Sequence, residues 1–187
     1  MNIIRLDEND KFYDYFSIDI IDDTEIITKD GKRFTGEIET YGPGNELSMR
    51  GMVIEGFREG KWEYYFENGK KKLEENYRDN ELEGERITYF NTGKVFQIEN
   101  YKFGKLDGEK IIYTDYDNNL KYQKMDYVNG KLSGDFIIYN DDGKSVDVIE
   151  RYVDDKLEGV TEYYDELGNL ILKQRFHEDE LVSEENF

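Results

Sequence analysis

The residues YVNGKLSGDFIIYNDDGK at 127–144 nearly duplicate YKFGKLDGEKIIY at 101–113 and YVDDKLEGVTEYY at 152–164. A chain that repeats itself at a fixed interval folds as a stack of equivalent supersecondary units, each contacting mainly its neighbours. The phase is set by the glycine that follows the "KL-x" or "EL-x" stretch: Gly36, Gly60, Gly84, Gly108, Gly134 and Gly159. The intervals between these anchors are 24, 24, 24, 26 and 25 residues. Five residues after each anchor stands a tyrosine: Tyr41, Tyr65, Tyr89, Tyr113, Tyr139 and Tyr164. Seven residues before the last four anchors stand Tyr77, Tyr101, Tyr127 and Tyr152, with Val53 in the second unit and Phe176 opening an unfinished seventh.

Two positions per unit carry residues that tolerate positive φ. Nine after the anchor come Asn45, Gly69, Gly93, Gly143 and Gly168, with Asn119 two places late; four before it come Gly56, Asn80, Gly104, Gly130 and Asp155. Between these turns lie short runs such as WEYYF, RITYF, KIIY and FIIY, rich in aromatic and β-branched residues that suit a pleated surface. Each unit therefore reads as two antiparallel strands joined by an "NGK"-type turn and handed on by a "GKL"-type turn. The two extra residues of the 26-residue interval fall between Tyr113 and Asn119 and lengthen a turn. The extra residue of the 25-residue interval falls between Gly143 and Tyr152, where the strand needs a β-bulge near Val146–Ile149 to keep its faces.

The expected fold is all-β, an elongated single-layer antiparallel meander of tandem β-hairpin repeats of about 24 residues. The array covers 31–182; residues 1–30 (FYDYFSIDIID, then TEIIT) read as capping strands over an exposed edge, and 183–187 as a frayed C-terminus. The six phased tyrosines and the six anchor glycines form the expected repeat core. High charge and low hydrophobicity alone would suggest disorder, but 16 Tyr and 11 Phe held in one phase give a thin sheet its buried area.

The unit G-x-x-x-x-Y-x-x-x-G-K…Y-x-x-G-K-L-x-G, as at 60–84 and 108–134, resembles the bacterial variant of the MORN repeat. The resemblance covers about residues 31–182. Proteins built wholly of this variant are classed as YwqK-family antitoxins of bacterial toxin–antitoxin systems, and the resemblance implies such a role. Similar units in eukaryotic proteins accompany phosphatidylinositol phosphate kinase domains and membrane tethers, which implies the alternative of a peripheral membrane or envelope scaffold. This chain departs from those by its acidity, and residues 31–182 are expected to consist of repeats alone.

No residue set carries recognisable catalysis. His177 is the single histidine and there is no cysteine, so Ser-His-Asp, Cys-His and thiolate-metal arrangements have no members to draw on. No phosphate-cradling glycine motif is present. Asp115, Asp117, Asn119 and Asp126 fall at calcium-loop positions one, three, five and twelve, but Leu120 stands where that loop requires glycine and Asp126 replaces the bidentate glutamate. The chain is therefore expected to be non-enzymatic and to take no metal or cofactor. A formal charge of −19 without a basic track opposes nucleic acid and anionic membranes and favours a basic protein partner. Trp62, Tyr64, Phe66 and Phe90 are the candidate partner contacts, since large aromatics anchor interfaces. With no signal-peptide pattern and no apolar run of spanning length, the expected location is the cytoplasm and the expected state a monomer or an edge-paired dimer.

Overall fold

The computed structural model describes residues 3–6, 16–21, 24–116 and 118–187. The chain divides into two compact units, Met1–Gly93 and Lys94–Phe187. Both are built of strands, with no helix among the described residues.

The first unit holds β1 (Ile3–Leu6), β2 (Ser17–Ile21), β3 (Thr24–Lys29), β4 (Lys32–Arg33), β5 (Gly36–Tyr41), β6 (Leu47–Ile54), β7 (Phe57–Tyr65), β8 (Lys71–Arg78), β9 (Glu81–Leu82) and β10 (Gly84–Tyr89). Its main sheet runs β1-β5-β6-β7-β8-β10 as an open path, with β9 on β8; every pairing is antiparallel except β1 on β5. The second unit holds β11 (Val95–Lys102), β12 (Lys105–Tyr113), β13 (Lys121–Val128), β14 (Lys131–Tyr139), β15 (Val146–Val153), β16 (Lys156–Leu157), β17 (Gly159–Tyr164), β18 (Leu170–His177) and β19 (Glu180–Asn186). Its order is β11-β12-β13-β14-β15-β17-β18-β19, an antiparallel meander with β16 on β15. Residues 183–186, expected to fray, continue β19, because their backbone pairs with Leu172–Arg175.

Each hairpin hands on to the next through two adjacent residues at positive φ: Glu55–Gly56, Asp79–Asn80, Phe103–Gly104, Asn129–Gly130, Asp154–Asp155 and Glu178–Asp179. That is the type I′ geometry, whose twist matches the flanking strands. The "NGK" turns likewise place Asn45, Gly69, Gly93, Asn119, Gly143 and Gly168 at positive φ. The anchor glycines have a separate role. Gly60, Gly84, Gly108, Gly134 and Gly159 are themselves at positive φ, within a bulge. In β11–β12, Glu99 pairs with Lys110 and Tyr101 with Leu106, so two steps on one strand face four on the other. The same count holds for β13–β14 and β6–β7. At the end of the array Ser183 stands in the anchor position, outside the positive-φ set. There Arg175 pairs with Ser183 and Phe176 with Leu181, a bulge of one residue instead of two.

Neighbouring hairpins are tied turn to strand. The N–H groups of Asn80, Gly130, Asp155 and Asp179 donate to the carbonyls of Arg58, Leu106, Leu132 and Leu157, each two residues before the preceding anchor, at 2.7–3.1 Å. The residue just before the anchor adds a side-chain acceptor. Thr35 Oγ1, Glu59 Oε2, Asp107 Oδ2 and Glu158 Oε2 accept from the N–H of Glu55, Asp79, Asn129 and Glu178.

The irregular intervals are absorbed in the "NGK" turns. The closing bond spans four residues in Phe66–Lys70 and Asp165–Asn169, five in Asn140–Ser145 and six in Thr114–Leu120. A bulge does occur at Asp147, where Tyr139 pairs with Val146 and Ile138 with Val148. However, the equivalent bulge recurs in β5–β6, β7–β8, β12–β13 and β17–β18. The expectation that it takes up the extra residue is therefore corrected: that residue lies in the exposed turn, where insertion leaves the strand faces unchanged.

Residues 1–30 contribute the edge strand β1 and most of a three-stranded sheet, β2-β3-β4. Phe12 to Tyr15, part of the expected first strand, lie outside the described residues. The small sheet packs on one face of the main sheet, placing Phe16, Ile27 and Phe34 in one cluster with Leu6, Ile38, Val53 and Trp62. Gly56 is the joint: its N–H donates to Phe34 O and its carbonyl accepts from Ile27 N, both at 2.8 Å. A Cβ there would lie 2.5 Å from Ile26 Cγ2.

Alanine at Gly134 is expected to cost about 2–3 kcal/mol, because it adds a Cβ 2.8 Å from Asp126 Cβ to a residue at φ +126°. Alanine at Gly60, where φ is +65° and the space is open, is expected to cost about 1 kcal/mol. Urea unfolding of the two variants checks the order, and equal losses would contradict the bulge geometry.

Candidate partner-binding surface

Strand alternation and the observed register give each main sheet two faces. The front face carries the tyrosine five residues after each anchor. In the first unit these rings rest on a charged network. Glu63 and Glu74 are cross-strand partners, so two like charges stand side by side. Three cations hold them there. Arg50 Nε donates to Glu63 at 2.5 Å, Lys71 Nζ lies 3.0 Å from Glu63 and 2.6 Å from Glu74, and Lys61 bridges to both. Tyr65 and Tyr89 donate their hydroxyls to Glu63 and Glu74 at 3.2 and 2.8 Å, and Tyr41 does the same to Glu39. Burial opposes ionisation of Glu63, but hydrogen bonds from Lys71 and Arg50 outweigh it and hold its carboxyl down to about 2. Glu74 shifts down against the same burial penalty, through Lys61, Lys71 and Tyr89. Burial, then the hydrogen bond to Glu74, pushes the Tyr89 phenol up to about 12.

All six phased tyrosines are half-buried, and none belongs to the fully buried core. They cover the aliphatic and charged centre of the front face. The dense packing lies behind, on the back face of the first unit under β2–β4.

The structure separates the four expected partner contacts. Trp62 is 2% exposed. Its ring covers Gly51, where a Cβ would fall 2.1 Å from the indole, and its Nε1 donates to Met52 O at 3.1 Å. Arg58 and Tyr77 close over it, at 5.6 and 6.3 Å from the ring. Trp62 is thus a core residue and is withdrawn as a contact, because Phe16, Ile27 and Phe34 of the N-terminal segment pack in one cluster with it. Tyr64 packs against the same cluster, and burial followed by the charge of Glu75 raises its phenol. Phe66 and Phe90 stand instead at the starts of the "NGK" turns, where their carbonyls accept from Gly69 and Gly93. Phe66 borders an open groove of about 380 Å³ with Tyr65, Glu67, Asn68, Lys72 and Asn91.

In the second unit the back face pairs Tyr101 with Leu106, Tyr127 with Leu132 and Tyr152 with Leu157. Its buried positions mix Met125 and Thr161 with the charged Glu99, which is 4% exposed and lies 3.1 Å from Lys110 Nζ. On the front face Arg151 and Lys173 hold Glu162 at 2.9 and 3.3 Å. Sequence reasoning missed these carboxylate clamps. The available signal was a carboxylate at a tyrosine-face position with lysine or arginine at the cross-strand neighbours.

His177 is 73% exposed in its side chain and sits 3.1 Å from Glu158, whose hydrogen bond raises the imidazole. The four residues at calcium-loop spacing do not form a described loop. Asp117 lies outside the described residues; the carbonyls of Asp115 and Tyr116 accept from Lys94 Nζ, and Asp126 belongs to β13, where it accepts from Asp135 N at 3.2 Å. Among the described residues no helix is long and apolar enough to cross a membrane, and no group of three or more metal-ligating side chains is gathered.

Compared with known families, residues 58–79 and 82–103 each match the MORN repeat variant, as two tandem repeats. These segments hold most of β7 and all of β8, β10 and β11, and each ends on the first left-handed residue of a type I′ turn, Asp79 and Phe103. No curated protein matches the chain.

Two expectations follow. Trp62 is the single tryptophan, so its emission should be blue-shifted and resistant to iodide quenching in the folded protein. Red-shifted, readily quenched emission would place it at the surface. Secondly, Glu63 has a folded pKa near 2 against 4.5 for the ordinary carboxyl. Its contribution is complete above about pH 4.5 and is lost as pH falls toward 2. Glu63→Gln should therefore flatten the decline in urea stability between those limits, an effect that stability curves at pH 6 and pH 3 would reveal.

Proposed function

We propose that this chain is a non-catalytic, acidic repeat scaffold of the cytoplasm that binds a basic protein and masks its working surface, in the manner of an antitoxin or immunity protein. One observation supports the reading above others. The net charge is −19, and many cations on the sheet faces are already committed to internal carboxylates: Arg50, Lys61 and Lys71 to Glu63 and Glu74, Lys110 to Glu99, Arg151 and Lys173 to Glu162. The surplus carboxylates are left to the turns and rims, where they project a negative field into solvent. Such a field speeds encounter with a cationic protein and disfavours anionic lipid and nucleic acid.

The matched MORN repeat variant is consistent with a scaffold for protein or membrane binding. The step to a toxin rests on the resemblance of the whole repeat array to YwqK-family antitoxins. Masking requires no chemistry from the chain, since an array laid along a basic cleft excludes substrate sterically.

The experiment is co-expression with the protein encoded by the adjacent reading frame, followed by pull-down across a salt series. Growth rescue and capture that weakens steeply between about 50 and 500 mM salt are expected. Flotation with vesicles containing phosphatidylserine or phosphatidylinositol phosphates at low salt is the opposing arm. Clear vesicle binding without protein capture would overturn the reading in favour of a membrane scaffold.

A further inference from the structure

The "NGK" turns create the same groove more than once, and comparing two copies exposes a difference. In the first unit the groove around Tyr65 and Phe66 is bordered by Glu67, by Lys72 at the strand bulge and by Asn91 from the next turn. Lys72 Nζ lies 6.0 Å from the centre of the Phe66 ring. This copy has its own cation over its own aromatic ring.

In the second unit the corresponding groove is larger, about 490 Å³, and its lining has changed sign. Tyr139 takes the place of Tyr65, Asp141 that of Glu67, Asp147 that of Lys72 and Glu166 that of Asn91. Ile138 and Tyr122 add apolar wall, and Tyr122 is 48% exposed. The carboxylates of Asp141, Asp147 and Glu166 have no ion-pair partner among the described residues, in contrast to the clamped Glu63, Glu74 and Glu162. Asp142 also lines the groove but is occupied, accepting from the N–H groups of Lys144 and Ser145 at 2.8 Å each. The face of Tyr139 already takes a cation: Lys121 Nζ lies 5.9 Å from the ring centre.

We propose that this groove receives an arginine side chain from a basic protein partner. With Lys121 already over Tyr139, the ring left for the guanidinium is the half-exposed Tyr122; a guanidinium is flat enough to lie against it while its N–H fork meets two carboxylates, and it is less strongly hydrated than an ammonium. The sister groove gives the comparison: same backbone position and same leading tyrosine, but a lysine where the second unit has Asp147. The inference rests on the proposed function, since it names the chemistry by which the same acidic scaffold grips its partner.

The test uses the full chain, with a short arginine-containing peptide flanked by glycines and a lysine-containing twin as probes. Amide chemical shifts report where each binds, and a fluorescent arginine peptide reports affinity. Shifts concentrated at 138–147 and 166 are expected, with arginine preferred over lysine. The triple variant Asp141→Asn, Asp147→Asn, Glu166→Gln should weaken arginine-peptide binding about tenfold or more. Glu67→Gln, in the sister groove, should leave it within about twofold.

Unchanged thermal melting of the variants excludes a folding effect; among the described residues these carboxylates make no hydrogen bond with which the substitutions would interfere. Binding that spreads over many acidic turns, or that falls equally with Glu67→Gln, would overturn the groove while leaving the acidic-scaffold reading standing. No binding of either cationic peptide, together with no salt-sensitive protein capture, would overturn both.

Discussion

The architecture depends on a small set of backbone conformations that ordinary L-residues avoid. Each hairpin is entered through two adjacent left-handed residues and, from Gly60 to Gly159, continues through a glycine bulge that sets two steps of one strand against four of the other. Together these fix where the next strand begins and which side chains face front. They also bring the turn's N–H groups onto the carbonyl and the acceptor side chain of the preceding hairpin. The end of the array shows what happens when the glycine is missing. With Ser183 in its place the bulge shrinks by one residue, and Glu184 then pairs with Gln174, the position opposite which the earlier repeats place the second residue after the anchor. Glycine at the anchor therefore sets strand register as well as turn shape.

Given that framework, the faces solve the problem of a thin sheet with few apolar residues. The first unit buries one face under its own N-terminal strands and fills the other with clamped carboxylates roofed by tyrosines. Side-by-side glutamates would repel, and removing their cations would leave buried, unpaired charge, so the clamps act as one unit. Satisfying the inner carboxylates with the chain's cations leaves the turns and rims acidic. The field that a partner meets is thus a consequence of how the interior is neutralised.

Much of the fold could be read from the sequence because the repeat phase is carried by residues with one physical use. All eleven Gly, Asn or Asp positions singled out for the two turns have positive φ. The left-handed partners before them were less legible: Glu55, Phe103 and Glu178 carry no propensity for that region and adopt it because the following residue and the preceding hairpin define the turn. The bulge role of the anchors was hidden because a glycine at a strand start looks like any turn glycine. The candidate surface was read less well. Trp62 looked like an interface anchor from its size alone, while its burial depends on Gly51 and Phe34 and on Phe16 and Ile27, the last two lying outside the regular phase. The sign change between the two grooves, from Lys72 to Asp147, was visible in the sequence but had no meaning until the fold made the positions equivalent.

The claim that turns lock each hairpin onto the one before it is tested most directly by amide hydrogen exchange. The N–H groups of Asn80, Gly130, Asp155 and Asp179 sit in exposed turns yet donate to carbonyls of the preceding hairpin. Their exchange should be slowed to the level of the neighbouring strand amides. Exchange at the rate of a free peptide at these four positions, with the strands still protected, would mean that the hairpins pair edge to edge without the turn ladder, and would contradict the account.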